Sequence, residues 1–275
     1  MAFGDLTRIS TNLQSMESLR TLQNSNNELG MRQLRLATGS RINAAEDDSA
    51  GYSIATKLNA KVRGQAQALS NVGDAKSLLT IAEGSLNTVM EILQTMKEKT
   101  VQAANDTMSS TERSYIDNQL DALSNEITDI LTDSKFNNTS LFTSTSFSFQ
   151  VGAETADSFS VSVGTLSVAQ LAVATGDINV TSAANATGLL SSIDSAITTI
   201  STKLGSIGDN QKRLTFKQDA LGIAINNNEA ARSRIQDADF AKEQMEIVKL
   251  QILQQTGTAA VAQANSAPQS VLSLF

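Results

Sequence analysis

The chain has 275 residues, contains no cysteine, histidine or tryptophan, and carries a formal net charge of −7. Without imidazole or thiol groups, the commonest agents of nucleophilic catalysis and zinc binding are missing, so we expect no enzyme, no metal site and no cofactor. Acidic residues outnumber the scattered lysines and arginines, 28 to 21, which argues against a nucleic-acid-binding protein.

The first predicted element is an amphipathic helix near the amino terminus. Its apolar residues recur at steps of three and four, at Leu6, Ile9, Leu13 and Met16. The opening residues lack a basic segment followed by an apolar core, so no general secretory signal is predicted. No run of about 18 apolar residues occurs either, so no membrane-spanning helix is predicted.

The segment 41–51 has the composition of a turn that leads into a longer helix. Several of its residues favour turn and helix-capping conformations, namely Asn43, Asp47, Asp48 and Gly51. The acidic triplet 46–48 lacks the spaced ligands of an EF-hand, so a calcium loop is rejected.

Three long helices are predicted from apolar or small residues at alternating steps of three and four, the pattern of a coiled-coil seam. The runs extend from Val72 to Ala103, from Ile116 to Ile130 and from Ile193 to Ile225. A helix over 66–104 would be about 58 Å long, whereas a compact globule of this chain length would be only about 48 Å across. We therefore expect an elongated helical rod.

Between the second and third helices, strict alternation of polar and apolar residues predicts a β-hairpin with strands at 146–151 and 159–164. One face of the hairpin would pack on the helices through Phe147, Phe149, Val151, Phe159, Val161 and Val163. The following stretch, 166–187, is rich in Ala, Thr, Ser and Gly and is weakly patterned. We predict that it is a surface segment of short strands or loop.

The carboxyl-terminal stretch is predicted to be a second amphipathic helix that stays apolar to the chain end, where chains are usually polar and frayed. Its apolar residues include Leu250, Leu253, Val261, Leu272, Leu274 and Phe275. Because the amino-terminal helix is built alike, the two are expected to pair. An isolated pair buries little apolar surface against a backbone entropy of about 1–2 kcal/mol per residue, so we expect it to become ordered when other copies cover it.

Two long motifs, one near each end, resemble the signatures of a known family. Residues 36–51, LATGSRINAAEDDSAG, resemble the amino-terminal signature of bacterial flagellins. Residues 233–241, 251–257 and 264–272, which read SRIQDADFA, QILQQTG and ANSAPQSVL, resemble the carboxyl-terminal signature. The motifs stand in the family's order, and the resemblance extends over nearly all of the predicted helices.

The resemblance implies a mainly α fold, an elongated antiparallel helical bundle with coiled-coil packing, a β-hairpin and paired terminal helices. The terminal domain would comprise 1–44 plus 236–275, and the rod domain 45–235. Within the rod domain we expect long helices over about 45–104, 111–134 and 189–235, with the hairpin and loop at about 136–187. Larger flagellins insert outer domains after the hairpin, so this chain resembles a minimal form.

The function implied is that of a structural subunit that self-assembles into the extracellular filament of the bacterial flagellum for swimming. Export would use the flagellum's own secretion apparatus, which fits the missing signal peptide. An alternative is the hook-filament junction protein, whose family tends to carry a Pro-Ser-Asp-Asp-Pro type signature where this chain has residues 45–50. A cytoplasmic coiled-coil signalling protein would explain the heptads, but neither the apolar carboxyl end nor the two motifs.

The resemblance also implies site residues. Contacts between subunits are expected at Leu6, Ile9, Leu13, Met16, Arg41, Asn43, Asp47, Asp48, Leu250, Leu253, Val261, Leu272, Leu274 and Phe275. An export chaperone is expected on the carboxyl-terminal helix at Ile247, Leu250, Leu253 and Val261. Cap and hook-junction proteins are further expected partners, and other flagellins could share the filament.

Many flagellins present Gln-Arg-x-Arg-Glu-Leu on the first rod helix to a Toll-like innate receptor. The matching stretch here departs from that motif, with Thr95 at the first Arg and Lys99 at the Leu. Loss of an interface Arg and an apolar contact costs more than about 1 kcal/mol each, so we expect weak recognition. The residues concerned are Gln94, Thr95, Glu98 and Lys99.

Overall fold

The computed structural model describes residues 11–143 and 146–272, with side chains described as far as residue 266. Five helices are present in this part of the chain: α1 (Leu13–Thr38), α2 (Ser49–Ala103), α3 (Ser110–Asp133), α4 (Ala183–Gln236) and α5 (Phe240–Leu272). Four short strands lie between α3 and α4: β1 (Lys135–Phe136), β2 (Thr139–Ser140), β3 (Phe147–Gln150) and β4 (Ser158–Val161). The predicted mainly α class with a β-hairpin is confirmed.

The chain divides into two compact units, one formed by Met1–Ala60 with Asn227–Phe275 and the other by Lys61–Asn226. We call them the terminal unit and the central unit. The divisions fall inside α2 and α4, whereas the domains predicted from the sequence meet at 44/45 and 235/236; that assignment stays a prediction. No helix in the described residues combines the length and apolar character needed to cross a membrane.

The heptad seams form the core of the central unit. Along α2, the residues of the first predicted run are fully buried from Val72 through Leu86 and Leu93 to Ala103. Thr100, the polar member of this run, donates its hydroxyl to the carbonyl of Met96 at 2.7 Å, which satisfies it inside the core. Facing residues come from α3 and α4, including Leu120, Ile127, Ile193, Ile200 and Leu214.

The predicted hairpin is present as the antiparallel pair β3 and β4, with Phe147 opposite Val161 and Phe149 opposite Phe159. These side chains share one face and pack against the helical core. A second, smaller hairpin of β1 and β2 went unpredicted. Its turn residues, Asn137 and Asn138, both have positive φ, which two-residue hairpin turns require and asparagine tolerates.

The prediction that 166–187 is a surface segment of short strands or loop is right in part. Residues 166–182 form a loop with exposed polar residues, whereas 183–187 belong to α4. The apolar residues of the loop are not on the surface but buried in the central core: Leu166, Leu171, Val173, Ile178 and Val180. Hydrogen bonds fix the segment, because Ser124 Oγ donates to the Val173 carbonyl at 2.7 Å and the Val180 N–H donates to Asp117 at 2.9 Å. Helix α4 begins at Ala183 rather than at 189, since Ser182 Oγ accepts the Asn185 N–H at 3.2 Å as a cap.

Candidate assembly surface on the terminal helices

Helices α1 and α5 pack against each other in antiparallel orientation. Near the start of α1, the Asn12 side chain donates to the Ala264 carbonyl, and further along Leu29 contacts Ile247 and Leu250. Residues that ascend along α1 therefore meet residues that descend along α5. The pairing predicted for the two terminal helices is present in the structure.

The packed side of this pair is a narrow apolar seam. Leu29, Ile247 and Leu250 are buried there, with Leu36 half-buried beside them. Gly257 lets the helices approach closely, because a Cβ added to it would lie 3.2 Å from Leu22 Cδ1. Three or four such side chains form a much smaller core than the one in the central unit.

An ion pair lies within the seam. Arg32 Nη1 is 3.1 and 3.0 Å from the two carboxylate oxygens of Glu243, whose side chain is only 6% exposed. A carboxylate removed from water needs such a partner, so this contact also fixes how α1 and α5 are aligned. Ser15 Oγ donates to Asn265 Oδ1 at 2.7 Å closer to the chain ends.

Helix α1 also carries apolar residues that are largely exposed, on the side away from the packed seam. At about 100° per residue, Leu13, Met16, Met31 and Leu34 fall within about 60° of helix rotation, on the side opposite Leu29. All four are exposed, between 49% and 62% of their full surface. We call these four residues the exposed α1 face.

Helix α5 is built in the same way. Met245, Val248 and Ile252 also fall within about 60° of rotation, opposite Ile247 and Leu250. They are 68%, 52% and 56% exposed. We call them the exposed α5 face, and since each face points away from the partner helix, the pair presents apolar surface on two opposite sides.

Two exposed apolar faces are unusual for a soluble helix pair. A surface helix normally has one apolar stripe, directed at its own core, and polar residues elsewhere. Exposed apolar clusters rimmed by polar residues mark interaction sites. On α1 there are two such clusters, Leu13 with Met16 and Met31 with Leu34, and the exposed Arg20 and Asn27 lie between them on the same side. Each helix of the pair therefore packs one apolar side against its partner and leaves apolar side chains on its other side exposed to solvent.

The turn between α1 and α2 confirms the predicted cap chemistry. Gly39 ends α1 with φ of 68°, a left-handed conformation that glycine adopts without strain. Asp47 Oδ2 accepts the N–H groups of Asn43 and Ala44 at 3.0 and 3.1 Å, and Asp48 Oδ1 accepts the Gly51 N–H at 2.9 Å.

Two charged residues of this turn, Asp47 and Arg41, have bonding partners within the chain. The backbone N–H of Asn43 lowers the pKa of Asp47 most, with further lowering from the Ala44 N–H and from Arg35, whose Nη2 lies 3.3 Å away. Arg41 donates to the Ile235 carbonyl at 2.7 Å, where a cation suits the end of α4. These are roles inside one subunit, and contacts of Arg41, Asn43, Asp47 and Asp48 with other copies stay predictions.

The remaining predicted contact residues lie in different settings. Leu6, Ile9, Leu274 and Phe275 fall outside the described residues, and for Leu272 only its place at the end of α5 is described. Leu13, Met16 and Leu253 are exposed, Val261 is half-buried, and Leu250 is buried against α1.

Sequence reasoning missed five members of the exposed faces. Met31, Leu34, Met245, Val248 and Ile252 were not singled out, although each continues a step of three or four along its helix. A search for a second apolar stripe opposite the first would have found them.

The predicted receptor region lies on α2 in the central unit. Gln94, Thr95 and Glu98 are exposed and Lys99 is half-buried, while Leu93 and Met96 between them point into the core. The region is therefore accessible in the isolated subunit.

Comparison with known proteins identifies the chain's family. The model of the bacterial flagellin N-terminal helical region matches residues 9–146, and that of the bacterial flagellin C-terminal helical region matches residues 190–275. These matches span most of the chain. The chain belongs to the bacterial flagellin family.

Relatives agree over nearly the full length. The flagellar filament 33 kDa core protein of Treponema phagedenis is 34% identical, with 97% of this chain and 99% of that protein covered. A flagellin of Halalkalibacterium halodurans is also 34% identical with the same coverage. A putative flagellar hook-associated protein from Vibrio parahaemolyticus shares the fold at 15% identity, with a TM-score of 0.59 over 70% of this chain and 100% of that one.

Proposed function

We propose that this protein is the structural subunit of a bacterial flagellar filament, and that the exposed α1 and α5 faces are where subunits contact one another. The observation that carries the assignment is the pair of opposite apolar faces on the terminal helices. Membership of the flagellin family supplies the class of assembly.

The two opposite faces favour an open polymer over a closed dimer. An isologous dimer would cover one face twice and leave the other in water. Heterologous contacts that do not close a ring give a helical filament, in which each subunit has a neighbour on both sides. A polymer is thus the arrangement that covers both the α1 and the α5 face.

The test disrupts one face at a time. Leu34→Asn and Ile252→Asn place a polar group at each face without touching the packed seam. Their controls are Gln33→Asn and Gln251→Asn, exposed neighbours about 100° further round each helix. We expect each face variant to raise the critical concentration for polymerisation about tenfold or more, while the controls polymerise like the natural protein.

Sedimentation and electron microscopy of seeded, purified protein give the readout, and circular dichroism checks that each variant is folded. Equal polymerisation by face and control variants would contradict the assigned surface. Failure of the natural protein to polymerise under any seeding or salting condition would instead favour the hook-filament junction protein.

The subunit is further proposed to be secreted and to act outside the cell.

Before export, a chaperone would cover Ile247, Leu250, Leu253 and Val261. Because Ile247 and Leu250 are buried by α1 in the folded subunit, the chaperone must bind α5 before the helices pair. Alanine at these four positions should weaken chaperone affinity measured by calorimetry, and unchanged affinity would exclude this surface. Cap and hook-junction proteins complete the proposed partners.

Recognition by a Toll-like receptor is proposed to be weak. The exposed positions that would meet the receptor carry Thr95 and Glu98, with Lys99 half-buried beside them. A reporter-cell assay with purified monomer should give a low response, and Thr95→Arg with Lys99→Leu should raise it. A strong response from the natural monomer would refute the proposal.

A further inference from the structure

The proposed contact faces contain the methionines that water reaches most easily. Six of the seven methionines lie in the described part of the chain. Met16, Met31 and Met245 are 62%, 49% and 68% exposed, and all three lie on the exposed α1 or α5 face. The other three, in the central unit, are buried or half-buried: Met90, Met96 and Met108.

The composition of the chain makes these thioethers its most oxidisable groups. No cysteine, tryptophan or histidine is present, so a peroxide meets no thiol, indole or imidazole. Exposure then decides which methionine reacts first, because susceptibility to oxidation follows access. Met96, fully buried in the central core, is shielded.

We propose that Met16, Met31 and Met245 are three separate oxidation-sensitive positions that together control whether the free subunit can join a polymer. The proposal rests on the proposed function, since it takes the exposed faces to be contact surfaces. In the reaction, a sulfur lone pair attacks one oxygen of a peroxide, the O–O bond breaks, and an S–O bond forms. The sulfur is oxidised by two electrons, the peroxide is reduced, and water leaves when the oxidant is hydrogen peroxide.

The physical consequence follows from the change in polarity. A methionine sulfoxide replaces a flexible apolar side chain by a polar one that requires hydrogen bonds. In the free subunit, water can bond to the sulfoxide oxygen on an exposed face, so oxidation changes the free energy of unfolding little. Burial in a contact between copies removes water from the new oxygen, so oxidation opposes assembly without unfolding the subunit.

Assembly would in turn protect these three methionines. Once another copy covers the α1 or α5 face, the sulfur is no longer open to solvent. Oxidation should therefore act on free subunits and spare those in filaments. Methionine sulfoxide reductases reverse the reaction, so the block is removable.

The experiment uses purified full-length protein treated with hydrogen peroxide under native conditions. Peptide mass spectrometry should find one added oxygen atom on peptides with Met16, Met31 and Met245 well before the peptide with Met96. Seeded polymerisation, read by sedimentation and electron microscopy, should show a critical concentration raised about tenfold or more. Preformed filaments, treated alike, should gain oxygen at the three positions several-fold more slowly.

The matched variant carries Met16→Leu, Met31→Leu and Met245→Leu, which keep volume and apolarity but remove sulfur. It should polymerise equally well with and without peroxide. The control variant, Met90→Leu with Met108→Leu, should remain as sensitive as the natural protein. Should the triple variant fail to fold, treatment of oxidised natural protein with both sulfoxide reductases must restore polymerisation.

Unimpaired polymerisation of oxidised natural protein would overturn the proposal, as would equal loss in the triple variant or no rescue by the reductases. These outcomes leave the proposed function intact, because untreated protein still polymerises. Failure of untreated protein to polymerise would overturn the proposed function itself.

Discussion

The terminal and central units are both built from long helices with apolar stripes, yet they satisfy those stripes differently. In the central unit, seams from α2, α3 and α4 bury one another, and the hairpin covers them further. In the terminal unit, α1 and α5 bury one narrow seam and leave an apolar face exposed on each helix. A core complete in one chain gives a stable subunit, and an incomplete one directs association with further copies.

The largest expected effect comes from a comparison of two leucines, one in each unit. Leu93 is fully buried in the central unit, so Leu93→Ala should lower the free energy of unfolding by about 2–5 kcal/mol through lost burial and a cavity. Leu34, on the exposed α1 face, is 53% exposed, so Leu34→Ala should change it by no more than about 0.5 kcal/mol.

Thermal and denaturant unfolding followed by circular dichroism measure both changes, and polymerisation is assayed in parallel. Leu34→Ala should impair polymerisation although it leaves unfolding unchanged. If both variants destabilised the subunit equally, Leu34 would belong to a core within the chain, and the contrast between the units would not hold.

The same contrast governs what the sequence could predict. The buried side of α2 from Val72 to Ala103 was predictable because an unbroken heptad repeat places all of the apolar residues of this run on one side of the helix. On α1, however, Leu13 and Leu29 belong to two apolar stripes, and periodicity alone does not say which stripe meets α5. That assignment depends on contacts far apart in the sequence, such as Arg32 with Glu243.

Two local misses have different causes. The buried segment that includes Leu166 and Val180 lacks any period, since its side chains reach the core from turns held by hydrogen bonds to α3. The small hairpin at Asn137 and Asn138 did have a signal, because two asparagines suit a two-residue turn with positive φ. It was missed because its strands are only two residues long.

A second test addresses the ion pair in the terminal seam. Arg32→Ala leaves the buried Glu243 carboxylate without its partner, and the pairing of α1 with α5 should weaken by about 2–3 kcal/mol. Hydrogen exchange over both helices measures the loss, with Arg20→Ala, exposed on α1, as the control. Adding Glu243→Gln should recover part of the protection; no recovery would mean that Arg32 acts through packing rather than charge.

A third test keeps to the central unit. Ser109 caps α3, since its hydroxyl accepts the Glu112 N–H at 3.3 Å while the Glu112 carboxylate accepts the Ser109 N–H at 2.7 Å. Ser109→Ala should cost about 1 kcal/mol of unfolding free energy and leave polymerisation unchanged. Ser110→Ala, one residue into the helix, serves as the control. A polymerisation defect in Ser109→Ala would show that the central unit also takes part in assembly through this end of α3.

The smallest expected effect concerns Asp121, a carboxylate whose charged form is destabilised by its surroundings in the central unit. Burial raises the pKa of Asp121, and Asp117, four residues earlier on α3, raises it further. A buried oxygen of Asp121 has no hydrogen-bond partner among the described residues, whereas Asp117 accepts the Val180 N–H. Asp121→Asn should therefore raise the free energy of unfolding at neutral pH by about 0.2–0.5 kcal/mol, the usual penalty of a like-charge pair one helical turn apart.

The sign of the pH dependence follows from the raised pKa. Stability that comes from the protonated carboxyl is complete below its unfolded-state pKa and is lost as the pH rises through the folded-state value. Unfolding midpoints of the natural protein should therefore fall over that interval more than those of Asp121→Asn. Asp129→Asn, exposed on the same helix, should follow the natural protein. Identical pH profiles for Asp121→Asn and the natural protein would mean that Asp121 is solvated, and that the central unit tolerates charge at this position as readily as the exposed side of α3 does.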